Sequence, residues 1–170
     1  VLRFAANAEQ RLENSYRFVD AHRHLWVGLN MAGIEENGKG HPARFLEKYR
    51  ELRRRYPTLP LSIHAGEMDG PDSHIRDTLR AADPDIAALQ EVWGAGGTSQ
   101  AHELAEALGH HAAYAQPSLP PAPSDPEHAG VAVGLGLVSR WEISSCESVR
   151  MPARYRKPSV TLRATVEHPA

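Results

Sequence analysis

Hydrophobic positions along the first eighty residues recur at helical spacing and are broken by short apolar runs. Ala8, Leu12, Tyr16 and Val19 fall on one face of a helix predicted over roughly residues 7–24. Val27 to Met31 is a short apolar run that reads as a buried strand. Gly33 to Gly40 is a polar, Gly-containing loop. Pro42 sits where the first turn of a helix tolerates proline, and Phe45, Tyr49, Leu52 and Tyr56 carry that helix to about Arg55, before Pro57 and Pro60. Leu61-Ser62-Ile63 is the next strand, and Pro71 opens a helix with Ile75 and Leu79 on one face. Strands alternating with helices predict a parallel sheet or a (β/α) barrel. Chemistry in such folds lies just past the C-terminal ends of the strands.

The pattern changes after residue 80. Ile86 to Val92 reads as a buried strand. Thr98 or Ser99 can cap a helix containing Leu104 and Leu108, with Gly109 as its stop. Residues 117–128 form a proline-rich loop. Val131, Val133, Leu135 and Leu137 alternate with small residues, as in a strand packed closely on a neighbour. Val160, Leu162, Ala164 and Val166 alternate with polar residues, which predicts a half-buried antiparallel strand. The expected fold is therefore α/β, a partial (β/α) barrel segment over 1–80 followed by a partial α+β sandwich segment over 81–170, both incomplete.

Charge follows the same division. Residues 1–80 carry 13 Lys+Arg against 11 Asp+Glu, and residues 81–170 carry 6 against 10. The overall charge of −2 gives no bulk attraction to nucleic acid. No apolar run is long enough to span a bilayer, so no membrane association is expected. The first residues lack the pattern of a signal peptide, and the chain starts at Val1 rather than Met, as an excised piece would. Cys146 is the only cysteine, so no internal disulfide forms, which suits a cytoplasmic location.

Candidate chemistry in the first half centres on His64-Ala65-Gly66-Glu67. The small pair lets the backbone turn at a strand end, placing an imidazole and a carboxylate on one rim. An imidazole can ligate zinc, and a glutamate can move protons between a metal-bound water and a substrate nitrogen. The alternative is a strand-end histidine bonded to a carbonyl. The order of Trp26 to Glu35, Phe45-Leu46, Leu59 to Glu67 and Gly70 to Leu79 resembles the adenosine deaminase family. That resemblance implies a zinc ligand at His64, the proton donor at Glu67 and a nucleoside-contacting backbone at Gly33. The remaining zinc ligands of that family are missing. His22-Arg23-His24 has the spelling of an early ligand pair but falls at the end of a helix pattern, where histidines suit the negative dipole. His41 and His74 read as loop and helix-start residues.

In the second half, Ala82 to Trp93, Gly134 to Trp141 and the alternating strand at 159–167 resemble the endonuclease/exonuclease/phosphatase family. The Leu89-Gln90-Glu91 strand end carries most of that resemblance, which implies that Glu91 binds Mg²⁺. A hard cation wants oxygen ligands, and a strand-end carboxylate supplies one. The alternative is an ordinary exposed glutamate after a core strand. That family's first strand and later acidic elements are not evident. Arg150, Arg154, Arg156 and Lys157 form a basic cluster that reads as a solvated loop. Three readings follow: a zinc-dependent deaminase of a purine nucleoside, impaired by missing ligands; a Mg²⁺-dependent phosphodiesterase; and a hybrid without catalysis. An incomplete barrel also exposes sheet edges through which copies could self-associate.

Overall fold

The computed structural model describes residues 5–33, 40–66, 73–116, 130–152 and 160–169. Contacts divide the chain into two compact units, Val1–Asp83 and Pro84–Ala170. The fold is mixed α/β. No helix among the described residues is long and apolar enough to cross a membrane.

In the first unit, α1 (Ala8–Ala21) buries Ala8, Leu12, Tyr16 and Val19, the face its spacing predicts. β1 (Leu29–Met31) and β2 (Leu61–Ile63) pair in parallel, with Leu29 opposite Leu61 and Met31 opposite Ile63. A parallel pair needs a crossover. It is supplied by a 3₁₀ turn (Pro42–Phe45) that leads into α2 (Leu46–Arg55). Pro42 starts the turn, and His41 caps it by accepting the Ala43 N–H on Nδ1 at 3.0 Å. α3 (Ser73–Ala82) follows, with His74 in its first turn. Leu12, Tyr16, Met31, Phe45 and Leu52 are almost wholly buried and form the centre of the core. Burial of each such side chain contributes about 1.5–3 kcal/mol. An ion-pair network joins α1 to α2. Glu13 receives Lys48 at 2.8 Å and Arg55 at 2.9 Å, and both cations also meet Glu51. Hydrogen bonds from Lys48 and then Arg55 hold the Glu13 carboxyl down to about 2. The unit thus contains one parallel βαβ crossover, the repeat from which a (β/α) barrel is made. No such barrel forms among the described residues.

The second unit is antiparallel. Its main sheet has the order β4-β3-β6-β5, built from β3 (Ile86–Ala95), β4 (Thr98–Ser99), β5 (His111–Ala115) and β6 (Ala132–Ser139). α4 (Gln100–Leu108) covers one face with Ala101 and Ala105, against Val92, Val138, Ala87, Leu89 and Tyr114. Ser99 holds the N-cap position, but its hydroxyl bonds the His102 ring at 2.8 Å instead of a backbone N–H. Gly109 ends the helix at φ 67°, a left-handed cap that favours glycine. The hairpin of β7 (Ile143–Arg150) and β8 (Val160–Val166) packs against β5 and β6, where Ala113 and Ala115 are buried. As the alternation predicts, β8 is an antiparallel strand with every second residue half-buried. The proline-rich stretch at 117–128 lies outside the described residues.

Candidate functional site

β3 enters the sheet through a clasp at its first residues. The Arg140 backbone N–H donates to the Asp85 carbonyl at 2.9 Å, and the Arg140 guanidinium meets the Asp85 carboxylate at 3.3 Å. From Ile86 the strand pairs residue for residue with β6 as far as Leu89 opposite Gly136. Pairing resumes with Val92 opposite Gly134. Gln90 and Glu91 therefore share one opposing residue, Leu135, and the strand carries a β-bulge. Ala87 and Leu89 face α4 before the bulge, and Val92 and Gly94 do so after it.

Glu91 has φ 54°. An L-residue with a long side chain rarely adopts that left-handed conformation, which costs about 1–2 kcal/mol. The side chain is exposed. Immediately beyond, the Trp93 N–H donates to Gln100 Oε1 at 2.9 Å, so the first residue of α4 fixes the strand just past the bulge. Such conformations persist where the surrounding structure over-determines them, and they cluster at functional sites. The bulge was not evident in the sequence, because it depends on the register with β6. Its one local clue is the pair of glycines, Gly134 and Gly136, on either side of Leu135.

The residues singled out in the first half are placed differently. The His64 backbone N–H donates to the Met31 carbonyl at 2.9 Å, extending the β1–β2 ladder. Asn30 Nδ2, which can only donate, lies 3.2 Å from His64 Nε2. Gly66, at φ 76°, makes the expected turn. Glu67 lies outside the described residues. Gly33, two residues past β1, has φ 139°. His22 caps the C-terminus of α1, donates from Nδ1 to the Phe18 carbonyl at 2.7 Å and stacks on the Phe18 ring. It behaves as a helix-end residue, and His74 packs edge-on against His41. Among the described residues, no three His, Cys, Asp or Glu side chains converge as a metal-binding group. A shallow cleft of about 380 Å³ in this unit is lined by Asn7, Glu9, Gln10, Glu13, Arg44 and Lys48, and includes none of the residues singled out from the sequence. Of the basic cluster, Arg150 is exposed at the end of β7, and Arg154, Arg156 and Lys157 lie outside the described residues.

Comparison with known proteins agrees with the second half. No curated protein and no solved structure matches the chain. No match to the adenosine deaminase family is found, so neither that activity nor zinc is supported. The family model described as Endonuclease/Exonuclease/phosphatase family matches residues 63–165. The match begins at the last residue of β2, well before the boundary near residue 80 expected from the sequence, and takes in α3 and β3 to β7 with most of β8. It covers more than half of the chain, which belongs to the endonuclease/exonuclease/phosphatase family.

Proposed function

We propose that this chain carries a Mg²⁺-dependent phosphoester-hydrolysing site, of the phosphodiesterase or endonuclease kind, with Glu91 as a carboxylate ligand of the metal. The observation that carries the reading is the bulge. Within the region matched by the family, β3 places one carboxylate on a left-handed backbone that nothing in the local sequence favours. Mg²⁺ takes oxygen ligands, keeps several waters and is commonly held by one or two carboxylates. Glu91 suits that chemistry: its carboxylate is solvent-accessible and offers hard oxygen donors. Bound Mg²⁺ would supply charge stabilisation to a phosphoryl oxygen. The chain's own part is to hold the Glu91 carboxylate in place. The Gln100 contact to Trp93 and the Arg140–Asp85 clasp restrain the strand on both sides of it.

Calorimetric titration with Mg²⁺ is the test. The wild type is expected to give a saturable heat that Glu91→Ala loses, together with any Mg²⁺-dependent cleavage of a chromogenic phosphodiester. Identical weak heats from the two proteins would refute the assignment.

A further inference from the structure

The left-handed conformation of Glu91 needs something to hold it, and β6 supplies it from across the sheet. Gly136 is the cross-strand partner of Leu89, the last regular residue before the bulge. A side chain at 136 would meet Ala101 Cβ of α4 at 2.8 Å and Val92 Cγ2 at 3.0 Å, with Leu89 Cβ at 3.5 Å. The residues that bracket the bulge, Leu89 and Val92, therefore close over the space that Gly136 leaves empty, and Ala101 seals it from the helix side. Ordinary alternation would carry Val92 to the face away from α4. The extra residue in the bulge returns it to the α4 face, where it is 4% exposed. Gly134 plays the matching part opposite Val92. A side chain there would run into the Ala115 carbonyl and the Tyr114 ring, whose Cε2 would lie 2.8 Å away. The Tyr114 hydroxyl donates to the Ala132 carbonyl at 2.9 Å and keeps that ring in place.

We infer that Gly136, assisted by Gly134, is a positioning residue for Glu91: its missing side chain lets Val92 and Ala101 lock the bulge that presents the carboxylate. This rests on the reading of Glu91 as a metal ligand, and it predicts that metal affinity depends on a glycine on another strand. Residues that orient a metal ligand typically change affinity about 10–100-fold when altered.

The test follows the Glu91 backbone by NMR in the full chain, through its HN–Hα coupling and Cα shift, during titration with Mg²⁺ alone. In the wild type, the left-handed signature is expected at Glu91, with an amide that shifts on Mg²⁺ addition. Gly136→Ala is expected to lose the signature and to weaken the Mg²⁺ response about tenfold or more. Ala101→Gly added to Gly136→Ala reopens the space and is expected to restore both. Should Gly136→Ala not fold, Val92→Ala removes the lock without crowding, and is expected to average the Glu91 coupling and weaken the Mg²⁺ response. A folded Gly136→Ala, or in its place Val92→Ala, that keeps the signature and the affinity overturns the inference. If the wild-type Glu91 amide ignores Mg²⁺, the metal reading falls, and the coupling in the same variants still decides whether Gly136 holds the bulge.

Discussion

The two units are built from different kinds of core. The first fills its interior with large side chains, Leu12, Tyr16, Met31, Phe45 and Leu52. The second buries mostly small ones, with Ala101, Ala105, Ala113, Ala115 and Ala132 inside beside Val92 and Val138, and with Gly134 and Gly136 in the sheet facing α4. Large residues keep backbones apart, and much of their stabilisation comes from apolar area removed from water. Small residues bring backbones together, so a helix and its strands leave no room for an added methyl group at positions such as Gly136. The first arrangement is sensitive to deletion of atoms, and the second to their addition. Among the described residues, the first unit has a non-glycine residue at positive φ only at its last position, Asp83, a residue type that tolerates that conformation, whereas the second holds Glu91 there within a strand.

The largest effect that would break this comparison is expected at Phe45, which is wholly buried between α2 and the strands' core partners. Phe45→Ala should cost about 3–5 kcal/mol. Amide hydrogen exchange should register it as lost protection in α1 and α2. The reciprocal experiment adds atoms to the second unit. Ala101→Leu should cost about 1–3 kcal/mol by overpacking and reduce protection in α4 and β3. If Ala101→Leu is tolerated without loss, the second core is not closely packed and the contrast fails.

The same contrast explains what could be read from the sequence. α1 was legible because a large-residue core leaves a helical period in the chain, and β8 because its alternation survives in Val160, Leu162, Ala164 and Val166. β7 left no such trace. Its residues from Ser144 to Arg150 are all exposed, so no apolar period marks it, and the strand exists through its pairing with β8. β5 was hidden for a different reason. His111-Ala112-Ala113-Tyr114-Ala115 is rich in alanine, which by itself favours helix, and it becomes a strand by pairing with β6. Glu91 was legible as a residue and not as a geometry, since a bulge is a property of two strands. In the first half the spelling around His64 resembles a family that comparison with known proteins does not support, and a histidine at a strand end looks the same in sequence whether its ring serves a metal or only a neighbour such as Asn30.

A smaller and sharper test concerns the strain at Glu91. Glu91→Ala and Glu91→Gly both remove the carboxylate, but only glycine adopts φ 54° without penalty. The glycine variant should be more stable than the alanine variant by about 1 kcal/mol, read as a difference in urea midpoints at unchanged slope. Equal midpoints, or a more stable alanine variant, would mean that the left-handed backbone is not retained in solution. A glycine variant that also exceeds the wild type in stability would show stability given up to present a carboxylate.

The smallest effect expected is electrostatic and belongs to the first unit. The Glu13 carboxyl lies well below the ordinary carboxylate value of 4.5, at about 2, because the folded state offers it Lys48 and Arg55. A carboxyl depressed by folding binds its proton more weakly in the native state than in the unfolded one. Its contribution is therefore present in full above about pH 4.5 and declines as pH falls through 4 towards 2. Glu13 and Lys48 are half-buried at the surface and Arg55 is exposed, so the contribution is modest and should shrink with added salt. A ¹³C titration of the Glu13 carboxyl should give a midpoint near 2. Lys48→Met should move it upward, because Lys48 is the largest cause of the depression. An unchanged midpoint in Lys48→Met would show that the α1–α2 network is not formed in solution, and would leave the first unit held by its apolar core alone.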